Sequence, residues 1–170
     1  MDNEGFLKVT GRIKELIITE GGKNIAPVPI EETIKSQLPK IISNVMVVGD
    51  AKKYLSCLIT LQVVVDMKTM QPTSVLESWA QAWCKKIAGA EVKTVDDFLT
   101  GPHSAKLRNQ IQGAIDEYNT KAETSAHRIQ KFTVMPGEFS FVGGELGPTL
   151  KMKRHVITAK YSDDIDNMYL

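Results

Sequence analysis

The sequence predicts an α+β domain, in which a small N-terminal β-hairpin and a roughly three-stranded sheet pack against helices. Runs rich in β-branched residues alternate with amphipathic stretches along the 170-residue chain. Hydrophobic residues make up 42% of the chain, which is enough to form a buried core. The length is typical of one domain, so we treat residues 1–170 as a single folding unit.

The first element is a predicted hairpin. Two short apolar runs, Phe6–Val9 and Leu16–Ile18, flank a polar turn around Gly11–Lys14. This pattern is typical of two short antiparallel strands.

A helix is predicted next, beginning at Pro29. The preceding prolines remove backbone donors, so Ala26–Pro29 is expected to be irregular. Glu31 and Glu32 suit the positive end of the helix, and Pro39 is expected to stop it.

The central part predicts a sheet. Residues 44–50 (NVMVVGD) and 55–66 (LSCLITLQVVVD) are rich in β-branched residues, and the short loop between them allows an antiparallel pair. The second run is apolar at nearly every position, which indicates a strand covered on both faces. Residues 128–136 (RIQKFTVMP) predict a third core strand.

Several helices are predicted around this sheet. Residues 72–89, 92–102 and 103–123 have helical periodicity or helix-end signals, and residues 153–170 predict one or two short helices, with Ser162 as a candidate cap. Trp79 and Trp83 lie at helical spacing and are expected in the core. Residues 137–149 (GEFSFVGGELGPT) predict a glycine-rich loop.

Composition excludes several classes of protein. The net charge of +1 and the absence of a basic, aromatic-rich stripe argue against nucleic-acid binding. Cys57 and Cys84 fall in predicted core elements and form no Cys-x-x-Cys or Cys/His pattern, so we expect buried thiols, a reducing compartment and no metal site. The three histidines have no partner at a useful spacing, and we assign none to catalysis. No apolar run has the roughly 20 residues of a membrane span.

The first candidate site follows the strand Leu16–Ile18. Two adjacent glycines, Gly21 and Gly22, precede Lys23. Glycines at this place allow a backbone to approach a ligand closely, and they also suit an ordinary turn with positive φ. The residues alone leave both explanations open, as they do for Arg12 and Lys14 just before the strand.

The second candidate site is a cluster of cations, Lys151, Lys153 and Arg154, where the last helices are expected to begin. Cations are unfavourable at the positive end of a helix, so an anionic partner would explain them. Solvated surface charge is the alternative.

Taken together, the two stretches resemble the C-terminal domain of the acyl-adenylate-forming enzymes: acyl-CoA synthetases, peptide-synthetase adenylation domains and luciferases. The family pattern begins with a Gly-Arg, a hinge Asp or Lys two residues later and an apolar strand. A glycine-containing loop and an Ile-Glu helix start follow. Near the other end of the domain, a lysine is followed three residues later by an arginine. This chain has GRIK at 11–14, ELIIT at 15–19, GGKNI at 21–25, Ile30-Glu31, and Lys151 with Arg154. The resemblance covers essentially the whole chain.

Within the family, KELIITEGGKNIAPVPIEE (14–32) and GGELGPTLKMKR (143–154) are most similar to long-chain fatty acyl-CoA synthetases of the bubblegum type. The sequence departs from the general pattern at Leu150, because most members have Ser-Gly or Thr-Gly before the lysine. The stiff link Pro27-Val28-Pro29 and the longer helical region 66–127 are further departures. These departures concern the choice of acyl substrate more than the class of reaction.

The resemblance implies a two-step reaction. A fatty acid and ATP form acyl-AMP and pyrophosphate, and the thiol of coenzyme A then takes the acyl group and releases AMP. This domain would be a mobile lid over the enzyme's own N-terminal adenylation domain, with Mg²⁺ bound with ATP mainly by that domain. Lys151 would be the catalytic lysine of the first step, and Lys14 the hinge.

The remaining implied roles concern binding. Arg12 would contact the nucleotide, and Gly21, Gly22 and Lys23 would receive coenzyme A. The implied subdivision is a hinge and hairpin with the glycine loop (1–24), a core of sheet and helices (25–135), and a lysine loop with terminal helices (136–170).

Two other readings stay open. The chain could be the lid of an adenylate-forming ligase that loads a carrier protein, or a non-catalytic interaction module that retains the fold. We expect a cytoplasmic protein in either case, with peripheral association at the endoplasmic reticulum membrane as an alternative.

Overall fold

A computed structural model describes residues 15–170, which form short strands and helices in a mixed order. The strands are β1 (Ile17–Ile18), β2 (Asn24–Ile25), β3 (Ile42–Val48), β4 (Leu55–Leu61), β5 (Val63–Asp66), β6 (Gln71–Leu76) and β7 (Ile129–Val134). The α-helices are α1 (Pro27–Gln37), α2 (Ser78–Ala88), α3 (Val95–Thr100), α4 (Ser104–Thr120), α5 (Arg154–Lys160) and α6 (Ser162–Asn167). The predicted α+β class is confirmed.

The central sheet has three strands in the order β3-β4-β7. The β3 and β4 strands are antiparallel, as predicted from the short loop between them, and β7 pairs with β4 in parallel. Two further pairs, β1 with β2 and β5 with β6, are antiparallel and separate from this sheet.

Side chains of the central sheet alternate between two apolar cores. Val45 and Val47 of β3 pack in a core with residues of α1 to α4, whereas Met46 and Val48 pack in a second core with Ile157 of α5 and Ile165 of α6. Every residue of β4 is buried, because helices cover both faces of that strand. The prediction of a doubly covered strand is confirmed, and the fold is held from both sides by the hydrophobic effect.

Two predicted helices agree closely with the structure. Five predicted apolar positions of α4, namely Leu107, Ile111, Ala114, Ile115 and Tyr118, are all buried. The α3 helix begins at a capping box, in which the Thr94 side chain accepts from the Asp97 N–H and Asp97 accepts from the Thr94 N–H. It ends before Gly101.

The predicted helix over residues 72–89 is wrong at its N-terminal end. Residues Gln71–Leu76 form β6, and α2 begins only at Ser78. The β-branched side chains of this stretch favour a strand once β5 supplies a partner. The run 55–66 also divides at Gln62, where the backbone turns away from the central sheet and its N–H donates to the Ile41 carbonyl.

The α1 helix begins earlier than predicted, at Pro27 rather than Pro29. Both prolines lie in the first turn, where backbone N–H groups have no partner within the helix, so they cost little there. The expectation of an irregular segment at Ala26–Pro29 is therefore wrong.

Two smaller expectations also need correction, and a third is not tested. Trp79 is 48% exposed, whereas Trp83 packs against the core as expected. Ser162 is the first residue of α6 and not its cap, which is Tyr161. The predicted strand Phe6–Val9 lies outside the described residues, and the partner of Ile17–Ile18 within them is Asn24–Ile25.

Candidate functional site

The glycine stretch forms the turn of the β1–β2 hairpin. The Gly22 N–H donates to the Thr19 carbonyl (2.8 Å), and the Thr19 N–H donates to the Lys23 carbonyl (3.1 Å). Gly22 has φ of +72°, a left-handed conformation that favours glycine. Gly21 has no such requirement, since a Cβ there would meet its nearest atom, the Thr19 Oγ1, at 4.0 Å. Turn geometry thus explains Gly22 but not Gly21.

This hairpin is fixed to the loop between β3 and β4. The Ile18 N–H donates to a carboxylate oxygen of Asp50 (3.0 Å), and the Ile18 carbonyl accepts from the Ala51 N–H (2.8 Å). The Glu20 N–H donates to the Lys52 carbonyl (3.0 Å). The glycine turn therefore has its own attachment to the central sheet.

Lys151 lies at the end of a second small hairpin. The Leu150 N–H donates to the Gly147 carbonyl (2.9 Å), and the Gly147 N–H donates to the Lys151 carbonyl (2.8 Å). Leu146 and Met152 form a β-bridge at its base. Leu150 has φ of +58°, which is unusual for a residue with a side chain.

The two hairpins have the same hydrogen-bond pattern. In each, a three-residue turn ends in a left-handed residue, Gly22 or Leu150, and a lysine follows directly. Both lysines, Lys23 and Lys151, are exposed, and within residues 15–170 neither forms an ion pair. Over the same residues no hydrogen bond joins one hairpin to the other. The structure thus has two exposed lysine side chains, Lys23 and Lys151, on two hairpins of the same geometry.

Glu145 holds the base of the Lys151 hairpin from one side. Its buried carboxylate is paired with Lys160 and accepts from the Tyr161 hydroxyl (3.0 Å) and the Ser140 N–H (3.2 Å). Burial alone would raise the pKa of Glu145, but these hydrogen bonds, with Lys160 foremost, hold that pKa below its usual value. The Glu145 carbonyl also accepts from the Lys153 N–H (2.7 Å).

Glu31 holds the other side. Arg154 donates to both carboxylate oxygens of Glu31, with Nη1 to Oε1 at 2.7 Å and Nη2 to Oε2 at 2.6 Å. The Val47 N–H donates to the same Oε1 (2.7 Å). Bidentate contacts of this kind are among the stronger hydrogen bonds in proteins.

These contacts correct the interpretation of two charged residues. Glu31 was expected to favour the N-terminal end of α1, but it is buried against Arg154. Arg154 was considered as part of a cation cluster needing an external anion, and its anionic partner is Glu31. Lys151 remains the exposed cation of the three, since Lys153 is half-buried.

A cavity of about 450 Å³ lies beside this ion pair, between β1, the end of β3 and helices α5 and α6. Arg154, Asp50 and Lys52 contribute to its walls. Ile17 of the glycine hairpin contributes to its walls, whereas Lys23 and the Lys151 hairpin (residues 147–151) do not.

Two of the predicted site residues, Arg12 and Lys14, lie outside the described residues, so their roles remain predictions. Cys57 and Cys84 are buried, and burial raises the pKa of both thiols, that of Cys84 to about 12. Within residues 15–170 no cluster of three or more acidic, histidine or cysteine side chains could hold a metal ion, and no helix is long and apolar enough to cross a membrane.

The sequence analysis missed the supporting residues Glu31, Glu145 and Asp50. Glu31 belongs to the quoted Ile-Glu motif, and Glu145 lies inside the quoted GGELG stretch. Their positions in motifs were a signal, but the motifs do not indicate which distant side chain each carboxylate meets.

Residues 14–91 match a family described as AMP-binding enzyme C-terminal domain. The matched part is 78 of the 170 residues of this chain. The likeness of the chain to solved structures supports the fold beyond residue 91. The adenylation domain of a carboxylate reductase from Mycobacterium chelonae matches 94% of this chain and 20% of that chain, with a TM-score of 0.64 at 15% identity. A carboxylic acid reductase A domain from Segniliparus rugosus matches the same share with a TM-score of 0.63 at 13% identity.

Curated relatives match this chain over nearly its whole length. The long-chain-fatty-acid–CoA ligase ACSBG2 of Xenopus laevis is 45% identical over 168 residues, which is 99% of this chain and 22% of that protein. The long-chain-fatty-acid–CoA ligase ACSBG1 is 43% identical over 169 residues in both Mus musculus and Homo sapiens, with 23% of each relative covered. The chain thus spans about a quarter of the length of these relatives and is similar to ligases of the bubblegum type.

Proposed function

We propose that this C-terminal domain is part of an ATP-dependent long-chain fatty acid–CoA ligase, which converts a fatty acid, ATP and coenzyme A into acyl-CoA, AMP and pyrophosphate. The observation that carries the proposal is the identity of 43–45% to ligases of that name over 99% of the chain. The rest of the enzyme, including the acyl-binding part, most of the ATP site and the Mg²⁺ ligands, would lie in an N-terminal adenylation domain.

Lys151 is the proposed catalytic residue of the adenylation step. The fatty acid carboxylate attacks the α-phosphate of ATP, and negative charge builds on the phosphate oxygens in the transition state. A cation held close to those oxygens lowers the barrier. The hairpin that carries Lys151 supports this role, because its backbone hydrogen bonds and the two buried carboxylates fix the Cα while the ammonium group stays exposed.

The glycine hairpin is the proposed contact for coenzyme A in the second step. Gly21 is exposed and its lack of a side chain is not required by the turn, which supports a role in close approach to the narrow thiol-bearing arm. Lys23 would contact a phosphate of coenzyme A or of the nucleotide, and Arg12 the adenylate ribose. Lys14 would be the hinge that exchanges the two hairpins at the active site.

The test separates the two half-reactions in the full-length enzyme. We expect Lys151→Ala to lower the rate of acyl-AMP formation by about 10²–10³-fold and to spare thioester formation from supplied acyl-AMP. Lys23→Ala should have its larger effect on the thioester step. Lys106→Ala, at an exposed position on α4, is the matched control and should change neither step.

Equal loss of both half-reactions in Lys151→Ala would contradict its assigned role. The thiol acceptor is checked in the same enzyme: preference for a carrier-protein thiol over coenzyme A would overturn the ligase assignment. The 170-residue chain alone should form no acyl-CoA, because it lacks the proposed ATP site. Turnover by this chain alone would show that the reaction does not need the proposed N-terminal adenylation domain.

A further inference from the structure

Two buried carboxylates stand out among the described residues. Over residues 15–170 the acidic or basic side chains classed as buried are Glu31 (5% exposed) and Glu145 (2% exposed). Burying a charge is costly unless it is paired and hydrogen-bonded, and both groups meet that condition. Glu31 binds Arg154, three residues after Lys151. Glu145 meets this segment through its backbone carbonyl, which accepts from the Lys153 N–H.

The Glu31 contacts connect three distant parts of the chain. The carboxylate belongs to α1, its Oε1 accepts from the Val47 N–H of β3, and both oxygens accept from Arg154 at the first residue of α5. Arg154 is three residues after Lys151, and the Lys153 N–H between them is bound to the Glu145 carbonyl. Movement of Lys151 relative to the sheet is thereby restricted at Arg154.

The glycine hairpin is attached to the sheet by contacts other than the Glu31–Arg154 pair. It is attached to the sheet through Asp50, Ala51 and Lys52, on the loop between β3 and β4. The Lys151 hairpin and the glycine hairpin therefore have different attachments. A change that loosens one can leave the other in place.

We propose that Glu31 is a positioning residue for Lys151, which acts through Arg154 and sets the reach of the lysine in the adenylation step. This inference rests on the proposed function. Glu31 would act without contacting a substrate. Its carboxylate fixes the orientation of the guanidinium, and the guanidinium fixes the start of α5 and the hairpin before it.

The experiment compares substitutions in the full-length enzyme. Glu31→Gln keeps the shape of the side chain but removes its charge and one acceptor oxygen, and Arg154→Lys keeps the charge but removes the bidentate contact. Glu32→Gln is the matched control, because Glu32 is the neighbouring carboxylate on α1 and is exposed. Folded content is checked for each variant by circular dichroism and thermal unfolding before rates are compared.

We expect Glu31→Gln and Arg154→Lys each to lower kcat for acyl-AMP formation by about 10–100-fold, because small misplacement of a catalytic group has effects of this size. The KM for ATP and the rate of thioester formation from supplied acyl-AMP should stay within about twofold of the control. The double variant should lose little more than either single variant, since both remove the same interaction.

A purely structural role predicts a different result. If Glu31 only stabilises the fold, folded content falls and both half-reactions fall together per milligram, with no change of their ratio. That outcome, or an unchanged adenylation rate in well-folded Glu31→Gln, overturns the inference. If instead Lys151→Ala leaves adenylation intact, the proposed function itself fails, so the two failures are distinguishable.

Discussion

Leu150 and Gly22 occupy equivalent positions in two hairpins of the same geometry. Each donates its N–H to the carbonyl three residues earlier, each has a left-handed backbone, and each precedes an exposed lysine. Only one of the two is glycine. The pairing shows that the chain maintains an unfavourable backbone conformation beside Lys151 and a favourable one beside Lys23.

We expect Leu150→Gly to stabilise the domain. The left-handed region costs a residue with a side chain about 1–2 kcal/mol, and the extra entropy of glycine in the unfolded chain offsets about 0.5–1 kcal/mol of the gain. The net gain is up to about 1.5 kcal/mol, and each kcal/mol corresponds to a rise in Tm of about 2–4 °C for a domain of this size. Thermal unfolding of the chain measures it. Thr149→Gly, in the same turn but without positive φ, should lower Tm, and equal shifts in both variants would contradict the explanation.

Gly21 and Gly22 are expected to differ in how much stability an alanine costs at each position. We expect Gly22→Ala to destabilise the domain by up to about 1.5 kcal/mol, because alanine disfavours φ of +72° by about 1–2 kcal/mol and its lower entropy in the unfolded chain offsets about 0.5–1 kcal/mol of that loss. Gly21→Ala should leave stability unchanged or slightly higher, since a Cβ there meets no atom closer than 4.0 Å. Chemical denaturation of the two variants measures the difference. A larger loss in Gly21→Ala would show that the turn is wrongly assigned.

The buried Glu145 carboxylate predicts a dependence of stability on pH. Its pKa is lowered in the folded state, so its contribution is fully present above the unfolded-state pKa of about 4.3 and is lost as pH falls through the folded-state value. We expect Glu145→Gln to be less stable than the wild type at neutral pH, and the difference to shrink in acid. Unfolding free energies between pH 7 and pH 3 measure it.

Glu117 provides the control for this experiment. It is exposed and forms an i,i+4 pair with Lys121, a kind of surface pair that contributes little. Glu117→Gln should follow the wild-type pH profile. A Glu145→Gln profile parallel to that of the wild type would mean that the folded structure does not favour the ionised carboxylate.

The proposed hinge at Lys14 predicts a conformational phenotype. A hinge absorbs a large change of φ and ψ at one or two residues, and proline fixes φ. We expect Lys14→Pro in the full-length enzyme to lower steady-state turnover strongly, whereas Lys14→Ala, which leaves rotation free, should retain most of it. Equal turnover in the two variants would count against a hinge at this residue.

Much of the fold could be predicted from local pattern. The helical spacing of Leu107, Ile111 and Ile115 indicates α4, and the continuous apolar run of β4 indicates a strand covered on both faces. Local pattern failed where strands are too short to show a period, as in β2, and where a β-branched run leads into a helix, as at Pro72–Leu76. These segments are decided by pairing with other parts of the chain.

The candidate site could likewise be predicted only in part from the sequence. Lys151, Gly22 and Lys23 could be singled out because each lies in a recognisable motif. The partnership of Glu31 and Arg154 could not be predicted, because 123 residues separate them and nothing in either motif specifies the other. Spacing along the chain shows which side chains are unusual, and tertiary structure decides which of them meet.

The parallel pairing of β7 with β4 has a consequence for how the polypeptide is made. Residues 62–128 must emerge from the ribosome before β7 can reach β4, so during synthesis β4 has an open edge. Parallel pairing across such a separation is slow, and an unpaired apolar strand invites association between chains. A nascent polypeptide stopped near residue 91, where the matched family region ends, would keep that edge uncovered and should aggregate until β7 is supplied.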